Sequence, residues 1–125
     1  MPSGAVELKA RTKEFAVRVV RLFRKLPRTA EARVIGRQLL RSATSVGANY
    51  RAVCRARSKA EFVAKLGIVV EEADESVFWL ELLVDTEICK LAALEPLTKE
   101  PRELTAILPH PSALREVGKF DNLEI

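Results

Sequence analysis

All-α is the fold class this sequence predicts, in the form of an antiparallel up-down four-helix bundle with a short, proline-interrupted fourth helix. Three observations predict it. Apolar residues recur at alternating steps of three and four along three long stretches. The 5 Gly and 6 Pro are too few in 125 residues for a turn-rich sheet protein. The breaks between stretches are only a few residues long, so consecutive helices must double back on one another. A chain of this length suits one core, so residues 1–125 read as a single four-helix domain.

The first helix is expected over 5–26, where Leu8, Phe15, Val19, Leu22 and Leu26 keep a 3.5-residue rhythm and Thr12 takes the one missing place. Pro27 ends it, and Thr29 is placed to cap the next helix by accepting a backbone N–H bond. The second helix, 30–55, carries Ile35, Leu39, Ser42, Val46, Asn49 and Val53 as a heptad seam. Ser42 and Asn49 in that seam cost stability unless hydrogen-bonded, and Gly47 with Ala43 and Ala48 lets a neighbouring helix come close.

Ser58 followed by Glu61 and Phe62 is a capping box that opens the third helix, expected over 58–91. Phe62, Leu66, Val69, Ala73, Ser76, Leu80 and Leu83 form its seam, and Val63, Val70, Val77 and Val84 add a second stripe beside it. With Val77-Phe78-Trp79-Leu80 and Leu82 the helix is apolar nearly all round, which calls for burial on more than one face. Val70, Val77, Phe78, Trp79 and Leu82 are therefore the expected subunit-interface residues. Leu97, Leu104 and Leu108 mark a fourth helix over 98–108, with Thr98 as N-cap and Pro101 in its first turn. Pro109 and Pro111 close it, and a tail occupies 112–125.

Formal net charge is +4, but residues 1–65 carry 16 Lys/Arg against 4 Asp/Glu while residues 66–125 carry 5 against 13. Arg11, Arg18, Arg21, Lys25 and Arg28 follow one face of the first helix. Arg33, Arg37, Arg41, Arg51 and Arg55 follow a face of the second, Arg41 being the one also suited to pair with carboxylates of the third. Such stripes suit a phosphate backbone, although the charge can equally pair with the acidic half. Tyr50 is the nearest aromatic side chain, so base stacking has little support. Arg41, Ser42, Asn49, Ser58, Glu71, Glu72 and Glu75 read as structural polar residues, with the carboxylates paired to Arg41, Arg37 or other arginines of the second helix.

No phosphate loop, nucleophile elbow, His pair or cysteine cluster is present. His110 stands alone between prolines, and Cys54 and Cys89 lack metal or disulfide spacing. No catalytic residue, metal or cofactor is expected. Without a signal-peptide pattern or a membrane-length apolar run, the expected compartment is the cytosol.

Arg41-Ser42-Ala43-Thr44-Ser45-Val46-Gly47-Ala48-Asn49-Tyr50-Arg51, then Arg55-Ala56-Arg57-Ser58-Lys59-Ala60-Glu61-Phe62, then Glu71-Glu72-Ala73-Asp74-Glu75-Ser76 to Trp79-Leu80, carry a resemblance over about residues 8–90. The chain resembles the bacterial four-helix-bundle family of 23S rRNA intervening-sequence proteins. The resemblance implies an antiparallel bundle that assembles into a ring of five, with no established enzymatic role. It further implies kinship with the accessory variability protein of diversity-generating retroelements, a basic pentamer that binds nucleic acid and a reverse transcriptase. Members usually carry a longer, regular fourth helix where this chain has Pro109 and Pro111. The expected function is a non-enzymatic homo-oligomer, five-fold by resemblance, that binds RNA or DNA through its basic helices. The alternative is a structural or adaptor oligomer whose partner is another protein.

Overall fold

A computed structural model describes residues 3–108 and consists of four helices. They are α1 (Ser3–Lys25), α2 (Ala30–Cys54), α3 (Lys59–Asp85) and α4 (Leu91–Ile107). Gly36 faces Phe23 and Leu26 whereas Gly47 faces Thr12, so α1 and α2 run antiparallel. The other short connections bring α3 back against α2 and α4 against α3, and α4 also touches α1 to close the bundle.

Local signals set the end of α1, at Pro27, and the starts of α2 and α3. The Thr29 hydroxyl accepts from the Ala32 amide (3.3 Å) and the Ser58 hydroxyl from the Glu61 amide (3.0 Å), which satisfies N–H groups that have no carbonyl partner within the helix. Gly47 eases the close approach, since a Cβ there would meet the Thr12 carbonyl oxygen at 3.3 Å, a tight contact that α1 must give way to by a few tenths of an ångström. Here α1 lies backbone-close to α2, as the small residues around Gly47 predict.

The expected 58–91 helix ends early. Thr86 caps α3, its hydroxyl donating to the Leu82 carbonyl (2.7 Å), and Glu87 takes a left-handed φ of 62°. The Cys89 amide then donates to the Leu83 carbonyl (3.0 Å), and the chain reverses without Gly or Pro. Conversely, α4 starts seven residues ahead of the expected 98. Thr98 is not its N-cap: it lies inside the helix with its hydroxyl on the Leu94 carbonyl (2.8 Å), and Pro96 and Pro101 are both interior. The reason is a seam that continues through both prolines. Leu94, Leu97, Pro101, Leu104 and Leu108 are all buried, and burying each leucine contributes about 1.5–3 kcal/mol, enough together to outweigh the helix hydrogen bonds the prolines remove. Pro109, Pro111, His110 and the 112–125 tail lie outside the described residues.

The core has two clusters along the bundle. Phe15, Val19, Ile35, Leu39, Leu80, Leu83, Leu94 and Leu97 fill the end holding the α1–α2 and α3–α4 turns. Val46, Tyr50, Val53, Leu66, Val69 and Leu104 fill the other. Each helix contributes one buried hydroxyl near the boundary: Thr12, Ser42, Ser76 and Thr98. The Ser76 hydroxyl lies 3.0 Å from that of Ser42, joining α3 to α2, while the Leu39 and Glu72 carbonyls offer further acceptors at 3.2 and 2.8 Å. Two hydroxyl protons thus serve three contacts, and the seam serine foreseen as costly is satisfied. Among the described residues no buried side-chain polar atom lacks a partner.

Candidate nucleic-acid interface

The polar residues read as structural form a clamp between α2 and α3. Arg41 places one guanidinium nitrogen 3.1 Å from Glu72 Oε2 and another on Glu75. Glu75 in turn accepts from the Trp79 indole N–H at 3.0 Å. Asn49 is held locally, its amide donating to the Ser45 carbonyl (2.9 Å). Glu71 and Arg37 stand outside this clamp, exposed and without an ion-pair partner among the described residues.

Trp79 is tied down by that bond and packs, with Leu82, against the first core cluster; Val70 packs against the second. Val77 is half-buried. Of the expected interface residues only Phe78 is largely exposed, at 54%, meeting the Trp79 ring edge-on with centroids 4.9 Å apart. Further apolar exposure falls on Val34 (60%) and Leu91 (62%), which sequence reasoning did not single out. Tyr50 is buried, and its phenol is pushed up to about 12, first by loss of water and then by the neighbouring Cys54 thiol. It offers no face to a base. Cys54 and Cys89 are free thiols, and burial pushes Cys89 up.

The cations divide into engaged and unengaged sets. Arg11 is held by α4, its Nε 2.8 Å from Glu100 Oε1 and its Nη2 3.8 Å from Glu103. By contrast, Arg18, Arg21, Lys25, Arg28, Arg33, Arg37, Arg51 and Arg55 have no carboxylate within ion-pair distance among the described residues. Most of the charge division visible in sequence is therefore left unneutralised within the subunit.

These unengaged cations do not form one face. Arg33 joins Arg24 and Arg28 around a cleft of about 240 Å³ at the α1–α2 turn. Arg51 joins Lys13 along the groove between α1 and α2, opposite Gly47. Arg18, Arg21 and Lys25 point to the other side of α1, into a groove against α4 that Lys90 completes. Arg24 and Lys90 are missing from the stripes expected from sequence. Lys90 could be found only by noticing that an up-down bundle brings both turns to one end.

A family model described as 23S rRNA-intervening sequence protein matches residues 5–110. The chain belongs to the 23S rRNA-intervening sequence protein family. A crystal structure similar to it is that of a protein of unknown function from the S23 ribosomal protein family of Bacteroides thetaiotaomicron VPI-5482. The two are 38% identical with a TM-score of 0.77, the match covering 83% of this chain and 93% of that one. No curated protein matches. The family match extends past residue 90 and takes in α4 with both of its interior prolines. Among the described residues no helix is long and apolar enough to cross a membrane.

Proposed function

We propose that this family member is a non-enzymatic, cytosolic homo-oligomer of five subunits that binds RNA or DNA by its phosphates. The observation that carries the reading is the set of arginines and lysines on α1 and α2 left without carboxylate partners inside the subunit. Confined water-exposed cations of one sign repel one another, and a polyanion relieves that repulsion while releasing its own counterions. Arg33 to Arg55 span roughly 33 Å along α2 at about 1.5 Å per residue, long enough to follow a strand over several phosphates. With Tyr50 buried, recognition is electrostatic, indifferent to sequence and steep in salt.

The test is retardation of a short RNA and a short DNA across a salt series, with oligomer mass followed by light scattering. Binding at low salt that disappears when Arg33, Arg37, Arg51 and Arg55 become Glu in an intact oligomer supports the reading. Absence of binding at low salt overturns it, and a monomer at micromolar concentration overturns the assembly.

A second reading, an adaptor oligomer with a protein partner, is favoured by one feature of the opposite side. Glu71, Asp74 and Asp85 on α3 also lack partners among the described residues and flank the exposed Phe78, a surface that suits a basic apolar partner. Nuclease-resistant capture of that partner favours it over nucleic acid.

A further inference from the structure

The open groove between the second half of α1 and the start of α4 offers about 450 Å³, room for a small ligand on the ~300–1,000 Å³ scale of ligand clefts. Arg18, Arg21, Lys25 and Lys90 supply all of its charge, and no lining residue is acidic. The wall between them is apolar, built from Leu22, Leu26, Ile88, Leu94 and Leu97. None of the four cations has a carboxylate partner among the described residues. Four like charges around an apolar wall repel one another, weakly where water and salt screen them, and an anion bound among them turns that repulsion into attraction.

The local backbone works in the same direction. α4 opens with Lys90 in the N-cap position, no side-chain capping bond and no acid in its first turn. A lysine is the wrong charge for that end of a helix, where carboxylates and phosphates are favoured. Its presence beside three other cations makes sense if the negative charge comes from outside.

We infer that this groove is a phosphate site that takes one nucleotide unit, the phosphate among Arg21, Lys25 and Lys90 and the sugar and base along the leucine wall. The inference rests on the phosphate-binding reading but places one phosphate group on the α4 side of α1, away from the α2 arginines. The same chemistry is offered by a free nucleotide and by one residue of a strand, and the experiment separates them.

Calorimetric titration of the full chain with pyrophosphate, UTP and oligouridylate is run on the wild type, on Lys90→Asp, on Lys25→Glu and on the conservative Lys25→Arg. Lys90→Asp is the discriminating change, because an acid at that position caps α4 and raises Tm while it removes one groove cation and adds a repulsive charge. The expected result is a more stable protein whose affinity for pyrophosphate falls about tenfold or more, the scale of one charge-assisted contact, with Lys25→Glu alike and Lys25→Arg close to wild type. A loss in Lys90→Asp that is equal for UTP and oligouridylate assigns the site to a free nucleotide, and a larger loss for oligouridylate assigns it to one residue of a strand. If the wild type takes up neither pyrophosphate nor UTP, or Lys90→Asp binds both as the wild type does, the inference is overturned. RNA retardation that still depends on the α2 arginines then leaves the broader reading standing. If wild-type RNA retardation is absent but pyrophosphate binding disappears in Lys90→Asp, the broader reading fails and the groove remains a site for a free anion.

Discussion

Replacing the serines that join α2 to α3 tests how the middle of the bundle is held. Ser42 and Ser76 are both fully buried, and their hydroxyls meet at 3.0 Å. In Ser76→Ala the Ser42 hydroxyl keeps the Leu39 carbonyl, and in Ser42→Ala the Ser76 hydroxyl keeps the Glu72 carbonyl. Neither single change strands a donor, so each costs about 1 kcal/mol, the net worth of one hydrogen bond, and not the larger penalty of an orphaned polar group. Both single changes remove the same hydroxyl–hydroxyl bond. The double change therefore costs less than the sum, by roughly 0.5–1 kcal/mol. Urea denaturation at one fixed subunit concentration measures all four corners of the cycle, the fixed concentration being necessary because assembly adds to apparent stability. Additivity within about 0.3 kcal/mol, or a single change costing above ~3 kcal/mol, would refute the reasoning, since the two hydroxyls would then not be each other's partners.

Other outcomes follow from the same geometry. Gly47→Ala gains up to ~1 kcal/mol of helix propensity but sets its Cβ 3.3 Å from the Thr12 carbonyl oxygen, so its thermal midpoint should stay near wild type while Gly47→Val falls clearly below it. Tyr50 is held neutral in the fold, with its value raised from 10.0 to about 12; the resulting stability is complete below pH 10 and is lost as pH rises from 10 through 12. Tyr50→Phe should flatten alkaline unfolding over that window, and an unchanged profile would contradict the assignment. Arg41→Met releases Glu72 and Glu75 and loosens Trp79, so a shift in tryptophan emission with at most ~1 kcal/mol of destabilisation is expected for this half-exposed clamp.

Legibility in the sequence followed the strength of local chemistry. The end of α1 and the starts of α2 and α3 were readable because Pro27, Thr29 and Ser58 act on the backbone next to them. The α3–α4 turn was not. Thr86 to Lys90 contains no Gly, Pro or Asn, the left-handed residue is Glu87, and Ile88 and Leu91 prolong an apolar pattern although Leu91 ends up exposed. Thr98 and Pro101 together imitate a helix start, and only the packing of Leu94 and Leu97 on the core overrides them. The charge pattern pairs the Glu71, Glu72 and Glu75 carboxylates with Arg41, Arg37 or other α2 arginines; Glu72 and Glu75 meet Arg41, whereas Glu71 and Arg37 have no ion-pair partner among the described residues. That Arg11 pairs with α4, and that Lys90 joins Arg18, Arg21 and Lys25, depends on which helices become neighbours at each end, which no local pattern encodes.

The central claim is that cations on α1 and α2 left unpaired within the subunit are used on phosphate. Its most direct measurement is the salt dependence of RNA affinity for the intact oligomer, compared with the Arg33→Glu, Arg37→Glu, Arg51→Glu, Arg55→Glu quadruple variant at equal helicity and mass. The result predicted is a log–log slope shallower by roughly 0.7 for each phosphate the variant no longer neutralises, with affinity falling at every salt concentration. A slope and affinity identical to wild type would contradict it.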